Sequence, residues 1–258
     1  MISKSKWLKD ILICSLPLVL FAALQPAIAS DSAQEIVQQQ KPFVLKLGGS
    51  RVIYHLGSDG ATLPVINELD YPMLVKTDVL QNDKTTPAPF VTTPPVFRLD
   101  AGQQSMVRIM QVGGEFPTDR ESMAWVCVKG IPPKADDEWA KKPGEETKVT
   151  RATVEVQVSV NSCLKLFIRP DGLKDPDGAA ALLTWHRQGN QLKATNPTPY
   201  YMNLKSVTAG GQKIEGLEYI PPQSSRTFTL PRSTGDKVEW RVITDYGGDS
   251  HVYSGKLQ

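Results

Sequence analysis

Alternating apolar and polar positions recur along most of this chain, and the clearest case lies between residues 150 and 170. Val154, Val156, Val158 and Val160 alternate with Glu155, Gln157 and Ser159. A period of two in β-branched residues predicts a strand with one apolar and one polar face. Leu164, Leu166 and Ile168 carry the apolar parity onward, while Lys165 and Phe167 take the other parity and Cys163 interrupts the run. Arg169-Pro170 ends it, since a proline restricts the residue before it. A valine ladder of this kind fits either a core strand of a β-sandwich or a strand that presents its apolar face to another protein.

The same period predicts strands over 43–47, 51–54, 61–67 and 73–80. Others follow over 90–91 with 93–99, over 104–111 and over 123–129. The prolines at 94 and 95 make 90–99 an edge or sheet-switching segment, because proline cannot donate to a ladder. Residues 82–89 and 113–120 lack the pattern and predict a loop and a turn region. Residues 131–148 differ again. Pro132-Pro133, Asp136-Asp137-Glu138, Lys141-Lys142-Pro143-Gly144 and Glu145-Glu146 leave Trp139 as the main apolar residue, which predicts a long, solvated, charged loop. After the turn cluster Asp175-Pro176-Asp177-Gly178 the pattern restarts. Short strands are expected over 183–187, 191–195, 201–207, 212–214, 226–230, 238–244 and 252–256, at the ~8–12-residue spacing of a sandwich. No amphipathic helix of three turns is visible, and the two halves show no sequence repeat. The pattern predicts two β-sandwich domains joined near residues 169–175, within the one or two domains that 258 residues suggest.

The N-terminus stands outside this alternation. Lys4, Lys6 and Lys9 precede an apolar run over 11–24 broken by Pro17, and Ala27-Ile28-Ala29 follows. This predicts a secretory signal peptide over 1–29, with an uncleaved anchor as the alternative. The run is shorter than the ~20 residues of a membrane span, so no membrane insertion of the mature chain is expected. Cys14 has no lipobox-like context. Residues 30–40 are polar and Gln-rich and predict a flexible mature N-terminus. Removing 1–29 takes away three lysines and Asp10, which brings the formal charge of +2 close to neutrality. Nothing in that balance suggests nucleic acid as a partner. Cys127 and Cys163 remain. An even pair in an exported chain predicts a disulfide, which would tie the strands at the base of the charged loop. A metal site is the rival, and a poor one without neighbouring histidines.

Candidate chemistry is sparse. His55, His186 and His251 lie far apart, in no metal-ligand spacing. Gly48-Gly49 is not followed by the residues of a phosphate loop. Gly248-Asp249-Ser250-His251 has a superficial likeness to an esterase nucleophile motif, without the preceding strand and following helix that motif needs. No enzyme and no cofactor are expected. A hydrolase using Ser250 and His251, or a secreted structural or adhesive fibre component, are the competing classes.

Seven stretches stand in order along the chain: SRVIYHLG (50–57), TPPVFRLDAGQQSMVRI (93–109), DRESMAWVCVKGIPPK (119–134), CLKLFIRP (163–170), NPTPYYMN (196–203), YIPPQSSRTF (219–228) and ITDYGG (243–248). Together they resemble the PapD-like periplasmic pilus chaperones over nearly all of the mature chain. The long charged loop and the two cysteines resemble the long F1–G1 loop branch, which includes the chaperone of the F1 capsular antigen. The resemblance implies an all-β fold of two immunoglobulin-like β-sandwich domains at an angle, over 41–170 and 171–258, with a cleft between them. It implies a periplasmic location, a fibre or fimbrial subunit as client, an outer-membrane usher as second partner, and no cofactor. By resemblance, Arg51 and Lys165 hold the subunit's C-terminal carboxylate, a role that suits a guanidinium fork beside an ammonium. Val154, Val156, Val158 and Val160 form the strand donated to the open groove of the subunit, and Phe43, Val44 and Leu45 extend that surface. Glu121, Arg169 and Asp245 form an inter-domain ionic network. An exposed valine face would also favour self-association of the free chaperone.

Overall fold

The computed structural model describes residues 45–134, 137–140, 159–231 and 235–258. The expected signal peptide, the mature N-terminus with Phe43 and Val44, most of the charged loop, and Val154, Val156 and Val158 lie outside the described residues. No helix among the described residues is long and apolar enough to cross a membrane.

The first domain contains β1 (Leu45–Leu47), β2 (Arg51–His55), β3 (Ala61–Asn67), β4 (Met73–Leu80), β5 (Phe90–Thr93), β6 (Val96–Leu99), β7 (Gln104–Gln111), β8 (Ser122–Ile131) and β9 (Asn161–Arg169). They form two sheets, ordered β1-β3-β7-β5 and β2-β9-β8-β4-β6. Alternation decides which face is buried. Leu63 and Val65 of β3, Met73 and Val75 of β4, Val107 and Ile109 of β7, Val126 and Val128 of β8, and Leu166 and Ile168 of β9 meet in one core. Each such side chain contributes roughly 1.5–3 kcal/mol when fully buried. The 90–99 segment switches sheets as its prolines suggest. β5 pairs with β7 in one sheet and β6 pairs with β4 in the other. Asn67 is buried at the end of β3 and ties two turns together, its amide donating to the carbonyls of Tyr71, Leu99 and Asp100.

The second domain contains β10 (Thr184–Gln188), β11 (Gln191–Asn196), β12 (Met202–Ala209), β13 (Gln212–Lys213), β14 (Tyr219–Ile220), β15 (Ser224–Thr229), β16 (Lys237–Val242) and β17 (Tyr253–Lys256). One sheet is ordered β10-β11-β15, the other β13-β12-β16-β17, and β14 pairs with β12. Its core is built around Trp185 and Trp240, whose ring centroids are 5.4 Å apart. A 3-10 turn over Ala179–Leu182 closes one end, where Trp240 Nε1 donates to the Ala180 carbonyl at 2.9 Å. Asn196 repeats the device of Asn67, with its amide on the carbonyls of Tyr200, Ile220 and Pro221. The two-residue β14 has no periodicity to read and is the strand the pattern misses.

The 150–170 stretch differs from one continuous strand. Within the described part, β9 begins only at Asn161, and Ser159 and Val160 precede it outside regular pairing. They still hold to β8, since Gly130 N–H donates to the Val160 carbonyl at 3.3 Å and Ser159 Oγ donates to the Gly130 carbonyl at 2.9 Å.

Candidate functional site

The site grows from the parity change within β9. Leu166 and Ile168 point into the first core, so Lys165, Phe167 and Arg169 occupy the opposite face. β2 pairs parallel to β9, with Arg51 opposite Lys165 and Val52 opposite Leu166. Arg51 therefore shares the Lys165 face while Val52 fills the core. That face meets the second domain across a cleft.

The second domain supplies neutral acceptors to both cations. Arg51 Nη1 donates to the Ile243 carbonyl at 3.1 Å, and Lys165 Nζ donates to Asn203 Oδ1 at 2.7 Å. Arg51 Nε is buried without a partner among the described residues. The floor is a chain of aromatic rings, Phe167 to Tyr201 at 5.6 Å and Tyr201 to Tyr219 at 5.6 Å between centroids. Arg51 lies 5.9 Å from the Phe167 centroid and Lys165 Nζ 4.7 Å from that of Tyr219. Ring faces tolerate a cation without cancelling its charge. Burial pulls the Lys165 ammonium down to about 8, helped by the positive charges of Arg51, Lys84 and Arg226. Burial also lowers Arg51, against the pull of Asp245. Two adjacent, half-buried cations with uncharged partners form a site that an incoming carboxylate would stabilise.

Below this pair lies an ionic network. Arg169 has 2% side-chain exposure, as does Glu121. Glu121 Oε1 accepts from Arg169 Nε at 2.8 Å and Nη2 at 2.7 Å, and its Oε2 accepts from the Tyr201 N–H at 2.8 Å. Arg169 Nη1 donates to Asp245 Oδ2 at 2.8 Å. Burial acts to lower the Arg169 guanidinium, but Asp245 and Glu121 together outweigh it and leave it raised. Burial raises the Glu121 carboxyl, restrained by the Tyr201 N–H and by Arg169. Two residues of the first domain thus grip Tyr201 and Asp245 of the second. A cavity of about 170 Å3 lies beside them, lined among others by Asp175, Tyr200, Val242 and Tyr253.

Two family models match this architecture end to end. The pili and flagellar-assembly chaperone PapD N-terminal domain matches residues 44–174, and the pili assembly chaperone PapD C-terminal domain matches residues 178–254. The chain belongs to the PapD family of pilus-assembly chaperones. The chaperone protein AfaB of Escherichia coli is 52% identical over 78% of this chain and 81% of its own length. The chaperone protein caf1M of Yersinia pestis is 42% identical over 88% of this chain and 92% of its own. Among solved structures, the Salmonella enterica SafA pilin in complex with the SafB chaperone matches with a TM-score of 0.75 and 49% identity, over 85% of this chain and 99% of the matched one. The E. coli chaperone DraB matches with a TM-score of 0.74 and 50% identity, over 84% and 97%.

The remaining expected residues of this PapD-family chain fall as follows. Cys127 and Cys163 are direct cross-strand partners on β8 and β9 and form a disulfide of 2.03 Å. Val160 is 39% exposed just before β9, the one of the four expected donor-strand valines that lies within the described residues. The ladder to β2 ends at Lys165, so residues 161–164 of β9 pair only with β8 among the described strands. The Ser250 hydroxyl and the His251 imidazole are engaged with different partners. The Ser250 hydroxyl donates to the His251 carbonyl at 2.8 Å, while the imidazole packs on the Tyr253 ring at 4.1 Å between centroids. No group of three metal-ligating side chains exists among the described residues. Pattern reasoning missed Asn203, Tyr219 and the Ile243 carbonyl. Asn203 lies within NPTPYYMN and Tyr219 opens YIPPQ, but neither motif says which side chain crosses the cleft.

Proposed function

We propose that this chain is a periplasmic chaperone that captures a fibre subunit by its C-terminal carboxylate, completes the subunit's open sandwich with its own strand, and passes it to an outer-membrane usher. The observation that carries this reading is the Arg51–Lys165 pair, half-buried side by side, whose hydrogen bonds among the described residues go to neutral acceptors. Its position on the sheet supports the same mechanism. A client strand laid along the edge of 161–164 that no described strand covers would reach Lys165 where β2 begins. Only a strand parallel to β9 brings its C-terminus there, with the terminal carboxylate between the Arg51 fork and the Lys165 ammonium.

The valines 154, 156, 158 and 160 then enter the client's groove. Main-chain bonds supply the pairing and the period-two side chains supply the register. Each valine contributes roughly 1.5–3 kcal/mol of burial before ordering costs. Residues 1–29 direct export and are cleaved, residues 30–40 form the mature N-terminus, and 41–170 and 171–258 are the two domains. Glu121, Arg169 and Asp245 hold the domains so that both cations face one cleft. The cycle uses no cofactor and no enzymatic step, and an exposed valine face gives the free chaperone reason to self-associate.

The test is periplasmic co-expression of the tagged chain with a fimbrial subunit, read by native mass spectrometry. The parent chain is expected to give a one-to-one complex. Lys165→Ala should lose it while keeping the parent circular dichroism spectrum, and normal capture by that variant overturns the anchoring role. Val156→Asp with Val158→Asp should give a folded chaperone that holds no subunit. An unfolded product would instead make 154–160 an ordinary core strand.

A further inference from the structure

We propose that the cleft carries a second anion subsite beside the carboxylate anchor, in which Lys84, set on the Trp125 indole, takes an acidic side chain from the last few residues of the client. The inference rests on the anchor role proposed for Arg51 and Lys165.

Cross-strand register sets the geometry. Arg51, Lys165, Trp125 and Leu80 are successive partners across β2, β9, β8 and β4. Paired residues share a face of the sheet, so the half-buried Trp125 stands beside Lys165, one strand spacing of ~4.8 Å farther from Arg51. The loop after β4 places a cation on this indole. Lys84 Nζ lies 3.9 Å from the ring centroid, and Trp125 Nε1 donates to Asn82 Oδ1 at 3.4 Å.

That loop is tightly built. Asp83 accepts from the Thr85 and Thr86 N–H groups at 2.9 Å each and from the Thr86 hydroxyl at 2.5 Å. Gln81 N–H donates to the Thr86 carbonyl at 2.7 Å, and Lys84 N–H donates to the Gln81 carbonyl at 2.9 Å. Lys84 itself sits at φ 58°, in the left-handed region that a side chain with a Cβ adopts at a cost. A non-glycine residue held there by a hydrogen-bonded loop is the kind of outlier that points to a functional position. Asp83 spends its oxygens inside the loop, and Lys84 has no carboxylate partner among the described residues.

The charge balance indicates the ligand. Three cations, Arg51, Lys84 and Arg226, act on the Lys165 ammonium of the anchor. Arg226 is paired with Glu218 and lies 5.1 Å from the Tyr219 centroid. Asp245, the carboxylate acting on Arg51, is committed to Arg169. A single terminal carboxylate therefore leaves one charge of the half-buried Arg51–Lys165 pair uncompensated, with the exposed Lys84 beside it. A Glu or Asp side chain near the client's C-terminus supplies the second negative charge, and its reach over Trp125 brings it to Lys84.

The test uses the mature, disulfide-bonded chain and synthetic peptides with free C-terminal carboxylates. Their alternating Val-Thr sequence carries either Glu or Gln at the second or third position from the end. Affinity is measured by calorimetry and by the change in Trp125 fluorescence, with Trp125→Phe as the spectral control. The parent chain should bind the better-placed Glu peptide roughly twofold to fivefold more tightly than its Gln twin, in the range of a solvent-screened ion pair. Lys84→Gln should erase that preference, and Lys84→Arg should keep it. Equal binding of Glu and Gln peptides by the parent makes Lys84 a solvated surface charge and overturns the subsite while leaving the anchor intact. Failure of the parent to bind any peptide, or undiminished binding by Lys165→Ala, overturns the anchor and the subsite with it.

Discussion

Glu121→Ala is the sharpest perturbation of the cleft. The substitution removes a carboxylate with 2% side-chain exposure whose one oxygen takes two bonds from Arg169 and whose other takes the Tyr201 N–H. Arg169, equally buried, keeps only Asp245, which is 26% exposed, and the more distant Asp175. Breaking one side of a buried ion pair costs about 3–5 kcal/mol, because the remaining charge stays desolvated. The orphaned Tyr201 N–H overlaps with that cost rather than adding fully, so about 4 kcal/mol is expected. For a chain of this size, each kcal/mol lowers Tm by roughly 2–4 °C, which gives a drop of roughly 8–16 °C. Differential scanning calorimetry measures it, with Lys76→Ala as comparator. Lys76 pairs with Asp78 at 48% and 47% exposure, and its loss should cost under about 1 kcal/mol. A Glu121→Ala drop no larger than that of Lys76→Ala would refute the view that the network is a stressed buried charge system. The double change Glu121→Leu with Arg169→Met then separates stability from orientation. It should recover most of the lost Tm, since a buried pair replaced by apolar groups is often neutral. It should not recover subunit capture, because nothing then grips Asp245 and the Tyr201 N–H.

Two further outcomes follow from the same structure. Lys165 is lowered from 10.5 to about 8 in the free chaperone, mainly by burial. Between those values the unfolded chain binds more protons than the folded one, so this lysine makes stability rise with pH over that window. Carboxylate binding needs the ammonium, so peptide affinity should be full below about pH 8 and fall as pH rises above it. Calorimetry near that pH in buffers of different ionisation enthalpy should register proton uptake on binding, and a flat affinity from pH 7 to 10 would contradict the lowered value. Cys127 and Cys163 close a loop with a sequence separation of 36, so the reduced or doubly Ala-substituted chain should lose about 4 kcal/mol in denaturant unfolding by the loop-entropy estimate.

The alternation of apolar residues was enough to place nearly all of the strands, because a half-buried sheet makes burial follow local sequence parity. Residues 61–67, 73–80 and 104–111 match β3, β4 and β7 end to end. The prolines at 94 and 95 foretold the sheet switch for an equally local reason, the missing N–H. Seven ordered motifs were enough to single out Arg51, Lys165, Glu121, Arg169 and Asp245 by resemblance. What sequence could not decide was how these residues are held. Asn203 meets Lys165 across 38 positions, and Arg51 meets the Ile243 carbonyl across 192. The parallel register that sets Arg51 beside Lys165, and the row that continues to Trp125 and Leu80, come from pairing between distant strands. Local periodicity fixes which way a side chain faces, while its neighbours across a cleft depend on how two sandwiches pack, and only the tertiary structure carries that.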